Sequence, residues 1–258
     1  MKVIREEQKI QNSEETNKKQ AKPANEIMLN KELLPSRGKF YKKDIFIKKL
    51  SVKQIKDLSS LTKENVNGVL NSILSECISG ITLNEILSLD KLWLIYYLRS
   101  FTYNDLPMKL KCVCGKCENQ SNHDFKLANL MIDYYDETVP DEVTLSNGDK
   151  LKFGYTTIGT ELMINRLKND PNVIEAIDED IMLISSNIKE INGNGVTLYE
   201  GYNYVNEKLS PIDFAELVKN LTKRSFGAKP VAKFICPSCG EEILEKINLS
   251  QEFFLPKF

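Results

Sequence analysis

Two C-x-x-C pairs constrain this chain more than any other feature: Cys114-Gly115-Lys116-Cys117 and Cys236-Pro237-Ser238-Cys239, the second followed by Gly240. Laid over one another, Lys111-Cys112-Val113-Cys114-Gly115-Lys116-Cys117 matches Lys233-Phe234-Ile235-Cys236-Pro237-Ser238-Cys239. The superposition sorts the cysteines. Cys112 falls on Phe234 and reads as a strand residue rather than a ligand. The other four make a tetrahedral thiolate set, the shape of a closed, structural zinc site. Such a site has no open coordination position, so it supports a fold and does no chemistry. A stretch of 118 residues separates Cys117 from Cys236. Both halves of the chain must therefore converge on one ion, which closes a long loop.

Two residues between cysteines let a tight turn aim both sulfurs at one point, and a glycine after or between them frees the backbone for that turn. Each knuckle follows a strand-like run, Met108–Val113 and Val231–Ile235, so two facing hairpins would form a zinc ribbon. Lys109, Lys111 and Lys116 flank one knuckle, and Lys223, Arg224, Lys229 and Lys233 flank the other. Four thiolates around zinc leave a charge of minus two, which such cations would offset without any nucleic acid. A redox pair at Cys114 and Cys117 is the competing reading, weakened by the recurrence of two knuckles with matching flanks. Disulfides fit least, since the Lys-rich start has no apolar segment of a signal peptide. His123 is the single histidine. It could replace a cysteine as ligand, but it lies six residues beyond Cys117, far for a knuckle, and reads better as a strand or surface residue.

The chain has 258 residues, 41% of them hydrophobic, with a formal charge of −1. That length suits one large or two small domains. The near-zero charge disfavours a dedicated nucleic-acid binder. No apolar run reaches the length of a membrane span; the longest, Leu92–Leu98, is bracketed by Lys91 and Arg99.

Residues 1–27 carry six basic and five acidic side chains and no aromatic. This is the composition of a flexible polar arm that cannot fold alone. In Leu34-Pro35-Ser36-Arg37-Gly38-Lys39-Phe40-Tyr41 a turn is marked by Pro35 and Gly38, with Phe40 and Tyr41 as anchors. Ser51-Val52-Lys53-Gln54 is a capping box. Val66, Val69, Leu70, Ile73, Leu74, Cys77 and Ile78 lie on one helical face, with Cys77 a buried thiol. Thr82-Leu83-Asn84-Glu85 is read as the cap of another helix. Asp90 precedes the nearly all-apolar helix Lys91–Phe101, where Trp93, Tyr96 and Tyr97 are read as core. Beyond the first knuckle, strands flank Asn147-Gly148 as a hairpin. Ile177, Ile181, Ile184, Ile188 and Ile191 step at helical spacing up to Gly193, which predicts one long helix. Ser210 caps a further helix, with Pro211 at its first position, Asp213 in its first turn and Phe214, Leu217, Val218 and Leu221 inward.

The expected fold class is α+β, with a helical N-terminal block, a split four-cysteine zinc ribbon, and an inserted β-hairpin plus helical region. The boundaries are an arm at 1–27, a helical domain at 28–107, ribbon halves at 108–125 and 229–258, and an inserted α/β region at 126–228. Enzyme signatures are missing: no P-loop, Rossmann glycine pattern, G-x-S-x-G or H-E-x-x-H occurs. Asp178-Glu179-Asp180 reads as a complement to a helix dipole, not a metal site.

The motif Leu34-Pro35-Ser36-Arg37-Gly38-Lys39-Phe40-Tyr41 resembles the N-terminal motif of the baseplate-protein family of T-even-like, contractile-tailed bacteriophages. The order of elements after it is similar too: a helical block carrying Asp90 and ending in Leu98-Arg99-Ser100-Phe101-Thr102-Tyr103, a knuckle, an Asn-Gly hairpin, helices and a second knuckle. The resemblance spans roughly residues 28–258. It implies a baseplate hub subunit or hub assembly protein, in the virion baseplate or in host cytoplasm during tail assembly, with Leu34, Pro35, Ser36, Arg37, Gly38 and Tyr41 as family positions. The expected partners are other tail or baseplate proteins, with no small-molecule substrate, no turnover and no membrane span. The single structural zinc rests on Cys114, Cys117, Cys236 and Cys239 and not on the resemblance. Two other classes stay open, a nucleic-acid-associated zinc-ribbon protein and a thiol-disulfide redox protein. For partner contacts, the polar arm and the aromatic C-terminus, Phe253, Phe254 and Phe258, are the candidates, since aromatics favour interfaces; packing on the chain's own core is the alternative for the latter.

Overall fold

In the computed structural model, which describes residues 26–62, 65–169, 177–249 and 251–255, most helix starts follow local capping chemistry. Ser51 Oγ accepts the N–H of Gln54, and the Gln54 side chain accepts the N–H of Ser51, opening α1 (Val52–Ser59). The stripe on α2 (Val66–Cys77) buries Leu70, Ile73, Leu74 and Cys77. The central helix α3 (Ser88–Thr102) buries Trp93, Leu94, Ile95, Tyr96 and Leu98. Further along lie α4 (Ile158–Lys168), α5 (Glu179–Ser185), α6 (Leu198–Asn203), α7 (Pro211–Lys223) and the short α8 (Gln251–Phe254). Asp178 caps α5 by accepting two backbone N–H groups, as its dipole reading implied. Ser210 caps α7, with Pro211 at the first position.

The strands make small antiparallel sheets, so the α+β class holds. β1 (Glu26–Met28), β2 (Phe46–Lys48) and β3 (Ile78–Ser79) form one. β4 (Met108–Val113) and β5 (Gln120–Phe125) form a hairpin. β6 (Leu130–Asp133) joins β11 (Gly227–Ile235) and β12 (Glu242–Lys246) in the order β12-β11-β6. The register along β11 shifts between Ala228 and Ala232, the stretch that holds Pro230, which has no N–H to give a ladder. The fourth sheet runs β10-β9-β8-β7, with β7 (Glu142–Thr144), β8 (Lys150–Phe153), β9 (Ile188–Ile191) and β10 (Asn194–Gly195). β7 and β8 are the two arms of the Asn147-Gly148 hairpin.

Among the described residues, buried hydrophobic side chains fall into two clusters. The larger joins α1, α2, α3, the first sheet and both knuckle-bearing hairpins. The smaller centres on Leu145, Leu151, Phe153, Ile188, Tyr204, Val205 and Leu217, all from the segment between the hairpins.

The Leu34–Tyr41 motif is folded against the start of α3. Asp90, in the first turn of that helix and fully buried, accepts the Ser36 N–H at 2.9 Å and the Tyr41 hydroxyl at 2.8 Å. The Tyr41 oxygen also accepts the Leu87 N–H. Gly38 takes φ of +70°, and a Cβ there would sit 2.6 Å from the Cβ of Lys31. Arg37 stacks its guanidinium over Tyr134.

Several expectations are corrected. Thr82 bonds Glu85 as a cap would, but only a turn follows, and the helix begins at Ser88. The isoleucine series is not one helix. α5 stops at Ser185, where Ser185, Ser186 and Asn187 turn their side chains back onto the Ile181 and Leu183 carbonyls. Ile188 and Ile191 then pair with Phe153 and Leu151 in β9, and Asn192-Gly193 makes a turn with φ of 53° and 79°. Ile177 precedes the helix. Of the polar arm, residues 1–25 lie outside the described residues, while Glu26 and Ile27 belong to β1.

The C-terminal aromatics are also corrected. Phe253 and Phe254 are each 1% exposed within the larger core, so they are not free interface anchors. Phe258 lies outside the described residues. Three side chains of α3 and its end pin this segment: Tyr96 donates to the Ile247 carbonyl, Arg99 Nε to Phe253 at 2.7 Å, and Tyr103 to Phe254 at 2.6 Å. Tyr96 and Phe253 meet edge to face at 5.0 Å.

Candidate metal centre

The β4–β5 and β11–β12 hairpins carry the knuckles at their tips, and the two tips repeat one another bond for bond. In the first, the Cys114 N–H donates to the Asn119 carbonyl and the Glu118 N–H to the Cys114 carbonyl; in the second, Cys236 donates to Glu241 and Gly240 to Cys236. Glu118 and Gly240 hold the same left-handed place, with φ of 56° and 72°. Gly240 is therefore the glycine the turn uses. Gly115 is not among the residues with positive φ, so the first knuckle accepts the strain at Glu118 instead.

The tips meet. Cys114 Sγ lies 3.7 Å from Cys239 Sγ, and Cys117 Sγ lies 3.7 Å from Cys236 Sγ. All four sulfurs are within 4.8 Å of one another. Sulfurs about 2.3 Å from a tetrahedral zinc stand roughly 3.8 Å apart, so the separations suit one ion. Cys114 and Cys236 are buried, while Cys117 and Cys239 face outward.

Backbone donors favour thiolate at the first cysteine of each knuckle. The N–H groups of Cys117 and Lys116 draw Cys114 down to about 7. Burial opposes ionisation of Cys236, but the N–H groups of Ser238 and Cys239 outweigh it and its pKa falls. The second cysteines pay for this proximity. The Glu241 N–H favours the Cys239 thiolate, yet the crowding sulfurs of Cys117, Cys114 and Cys236 push it up to about 12. Four sulfurs at one point cannot all ionise unless a cation sits among them, so the donor set fits a divalent soft metal.

Residues 28–204 match the family model of the T4 bacteriophage base plate protein. The chain belongs to that family. The matched span includes the Leu34–Tyr41 motif, Asp90 and the first knuckle, and ends before Cys236. No curated protein and no solved structure matches the chain.

Within this family member, Cys112 and His123 stand apart from the sulfur cluster. Cys112 is fully buried on β4 opposite Ser121, its thiol pushed up to about 11 by burial and then by Glu245. His123 bonds Ser121 and stacks on Phe234 at 4.8 Å, between the two hairpins. Of the basic flanks, Lys116 bridges the knuckles to Glu241 at 2.8 Å, an exposed contact that solvent screens. Lys229 and Lys233 pair with Asp133 and Glu242. Arg224 is not at the knuckle at all: it is buried against Phe153 and Tyr155 and donates to the Pro140 carbonyl. Sequence reasoning also missed that Asp90 is what the Leu34–Tyr41 motif binds. The signal was an aspartate in the first turn of an otherwise apolar helix. Among the described residues, no helix is long and apolar enough to cross a membrane.

Proposed function

We propose that this protein is a structural or assembly component of the hub region of a phage tail baseplate, acting through protein–protein contacts and without turnover. The family match over residues 28–204 carries this reading. Cys114, Cys117, Cys236 and Cys239 hold one zinc in it. The tetrathiolate set supports a closed site that ties the two hairpins together and leaves no position for substrate. The metal would neutralise the mutual repulsion of the thiolates, while Lys116 and Glu241 bridge the tips from outside. The helical block (28–107) and the ribbon halves (108–125 and 229–258) form the scaffold, and 126–228 is the inserted region. The polar segment 1–27, which carries no aromatic, supplies a further contact to a partner protein.

The test is assembly in an infected host. Full-length tagged chain should copurify with baseplate proteins, and phage lacking the gene should accumulate incomplete tails. Complete tails without the gene product, together with a chain that migrates alone, would reject the reading.

A further inference from the structure

Four Asn-Gly pairs occur in the chain, at residues 67–68, 147–148, 192–193 and 194–195. A glycine nitrogen, with no Cβ beside it, can attack the Cγ of the preceding asparagine side chain. The attack needs an amide free to swing and a nitrogen free to meet it. Asn147, Asn192 and Asn194 are all exposed, so access to solvent does not rank them. Hydrogen bonding does.

Three of the pairs are held. Asn67-Gly68 lies within α2, whose fixed helical ψ does not let the ring close. At Asn147-Gly148 both reacting groups are engaged. Asn147 Oδ1 accepts the Asp149 N–H and its Nδ2 donates to Asp149 Oδ2, each at 2.9 Å, while the Gly148 N–H donates to the Leu145 carbonyl. Asn192 is pinned across the sheet: its Oδ1 accepts the Lys150 N–H at 2.9 Å and its Nδ2 donates to Asp149 Oδ1 at 2.8 Å. Asp149 thus locks the asparagines of both turns, and the Tyr204 hydroxyl steadies it at 2.7 Å.

Asn194-Gly195 has no such restraint. Among the described residues, Asn194 makes one side-chain bond, from Nδ2 to the Asn192 carbonyl at a long 3.4 Å, and its Oδ1 has no partner. The Gly195 nitrogen is open as well. The Val196 N–H donates to the Lys189 carbonyl, and bonded pairs alternate with non-bonded ones along an antiparallel ladder. Gly195, opposite Glu190, is therefore at the non-bonded position, with its N–H turned away from β9. That side is bare, because β10 is the edge of its sheet and only 2 residues long. Such an edge opens locally at little cost.

We propose that Asn194-Gly195 is a self-modification site, at which the asparagine becomes isoaspartate and aspartate while the other three Asn-Gly pairs stay intact in the folded chain. The Gly195 nitrogen bonds to Asn194 Cγ, the Cγ–Nδ2 bond breaks, and Nδ2 leaves as ammonia with the proton of the Gly195 amide. Water then opens the cyclic imide at either carbonyl. One opening gives aspartate; the other gives isoaspartate, with an extra carbon in the backbone. The reaction consumes water alone. Its product places a new carboxylate on the sheet edge, and the isoaspartate form shifts Val196, which packs against the smaller core, away from the Lys189 carbonyl.

The full-length chain is incubated at mildly alkaline pH, folded or in urea, and then digested. Fragmentation of the peptides by electron transfer tells Asn192 from Asn194 and isoaspartate from aspartate. In the folded chain Asn194 should convert several-fold faster than Asn67, Asn147 or Asn192, and in urea all four should convert at similar rates. Gly195→Ala should nearly abolish the reaction at Asn194. The fold accepts that change, since Gly195 is not among the glycines with positive φ and its Cβ would meet only the Lys189 carbonyl oxygen, at 3.9 Å. Conversion of Asn147 or Asn192 as fast as that of Asn194 in the folded chain overturns the proposal. So does a folded Asn194 that stays unmodified while the unfolded chain reacts, or a rate undiminished in Gly195→Ala.

Discussion

The hydroxyl of Tyr41 donates to Oδ2 of Asp90 at 2.8 Å, and the Tyr41 oxygen in turn accepts the N–H of Leu87 at 3.0 Å. With the Ser36 N–H on Oδ1 of Asp90, one carboxylate fastens both ends of the Leu34–Tyr41 motif to the central helix. The Leu34–Tyr41 motif is thus a clamp on α3. Its residue types follow from geometry: Gly38 for a left-handed turn against Lys31, Tyr41 for the reach, Asp90 for two acceptors.

Removing the tyrosine hydroxyl should expose that arrangement. Tyr41→Phe leaves the Leu87 N–H and one Asp90 oxygen buried without partners, and is expected to cost about 1–3 kcal/mol in urea denaturation. The pH dependence has a definite sign. Burial raises the Asp90 carboxyl above the ordinary aspartate range, with the Ser36 and Tyr41 bonds opposing it. The native state then binds the proton more tightly than the unfolded chain. This group's contribution to stability is therefore fullest at low pH and declines as pH rises from about 4 through the native value. The advantage of wild type over Asp90→Asn should shrink across that window. An advantage that grows with pH would mean the hydrogen bonds outweigh burial.

Gly38→Ala tests the turn itself. The left-handed backbone costs about 1–2 kcal/mol for an alanine, and the added Cβ would press on the backbone-proximal Cβ of Lys31 at 2.6 Å, which cannot swing away. The denaturation midpoint should fall by more than the backbone cost alone. At Gly148, where φ is +91° and nothing lies within 4 Å, the same change should cost only the backbone share. Equal losses at the two sites would remove the close approach from the argument.

Signals confined to a few residues were legible in the sequence: the Ser51–Gln54 box, the Asn147-Gly148 hairpin, the Ser210 cap and both knuckles. What was not legible depended on distant partners. The isoleucine spacing of 177–191 fits a helix, yet Ile188 and Ile191 are claimed by Phe153 and Leu151 of β8. Gly193 reads as a helix end because the second Asn-Gly turn sits at the close of that same spacing. The fate of Phe253 and Phe254 was set by Arg99 and Tyr103, more than 150 residues away. At the candidate metal centre, the spacing of the cysteines picked out the four sulfurs that meet, and the superposition on Phe234 marked Cys112 as a strand residue rather than a ligand. Which lysines stand near them was not readable, because Lys229 and Lys233 have carboxylates of their own and Arg224 serves the other core.

The C-terminal segment should behave as core. Phe253→Ala removes a side chain that is 1% exposed and is expected to cost about 3–5 kcal/mol. Truncation before residue 253 should be worse, since Arg99 Nε and the Tyr103 hydroxyl lose their acceptors as well. Thermal melting of the truncated chain reads this directly. A truncated protein with an unchanged melting temperature would return the segment to the surface.

Metal analysis of cysteine variants separates ligands from bystanders. The purified chain should carry one zinc, and Cys112→Ala should keep it, because Cys112 is buried on β4 opposite Ser121 and is not one of the four sulfurs that meet. Cys114→Ser and Cys239→Ser should lose it, one from each knuckle. Zinc in small tetrahedral sites contributes about 10–16 kcal/mol to folding at neutral pH, but here both hairpins also share the larger core with α3. Chelation should therefore loosen the tips before it unfolds the chain. In hydrogen exchange, the amides of Cys114, Glu118, Cys236 and Gly240, which close the two turns, should lose protection after chelation while those of α3 keep theirs. Uniform loss across α3 would make the metal a requirement for the whole fold, and no loss at the four turn amides would show that the knuckles hold their shape without it.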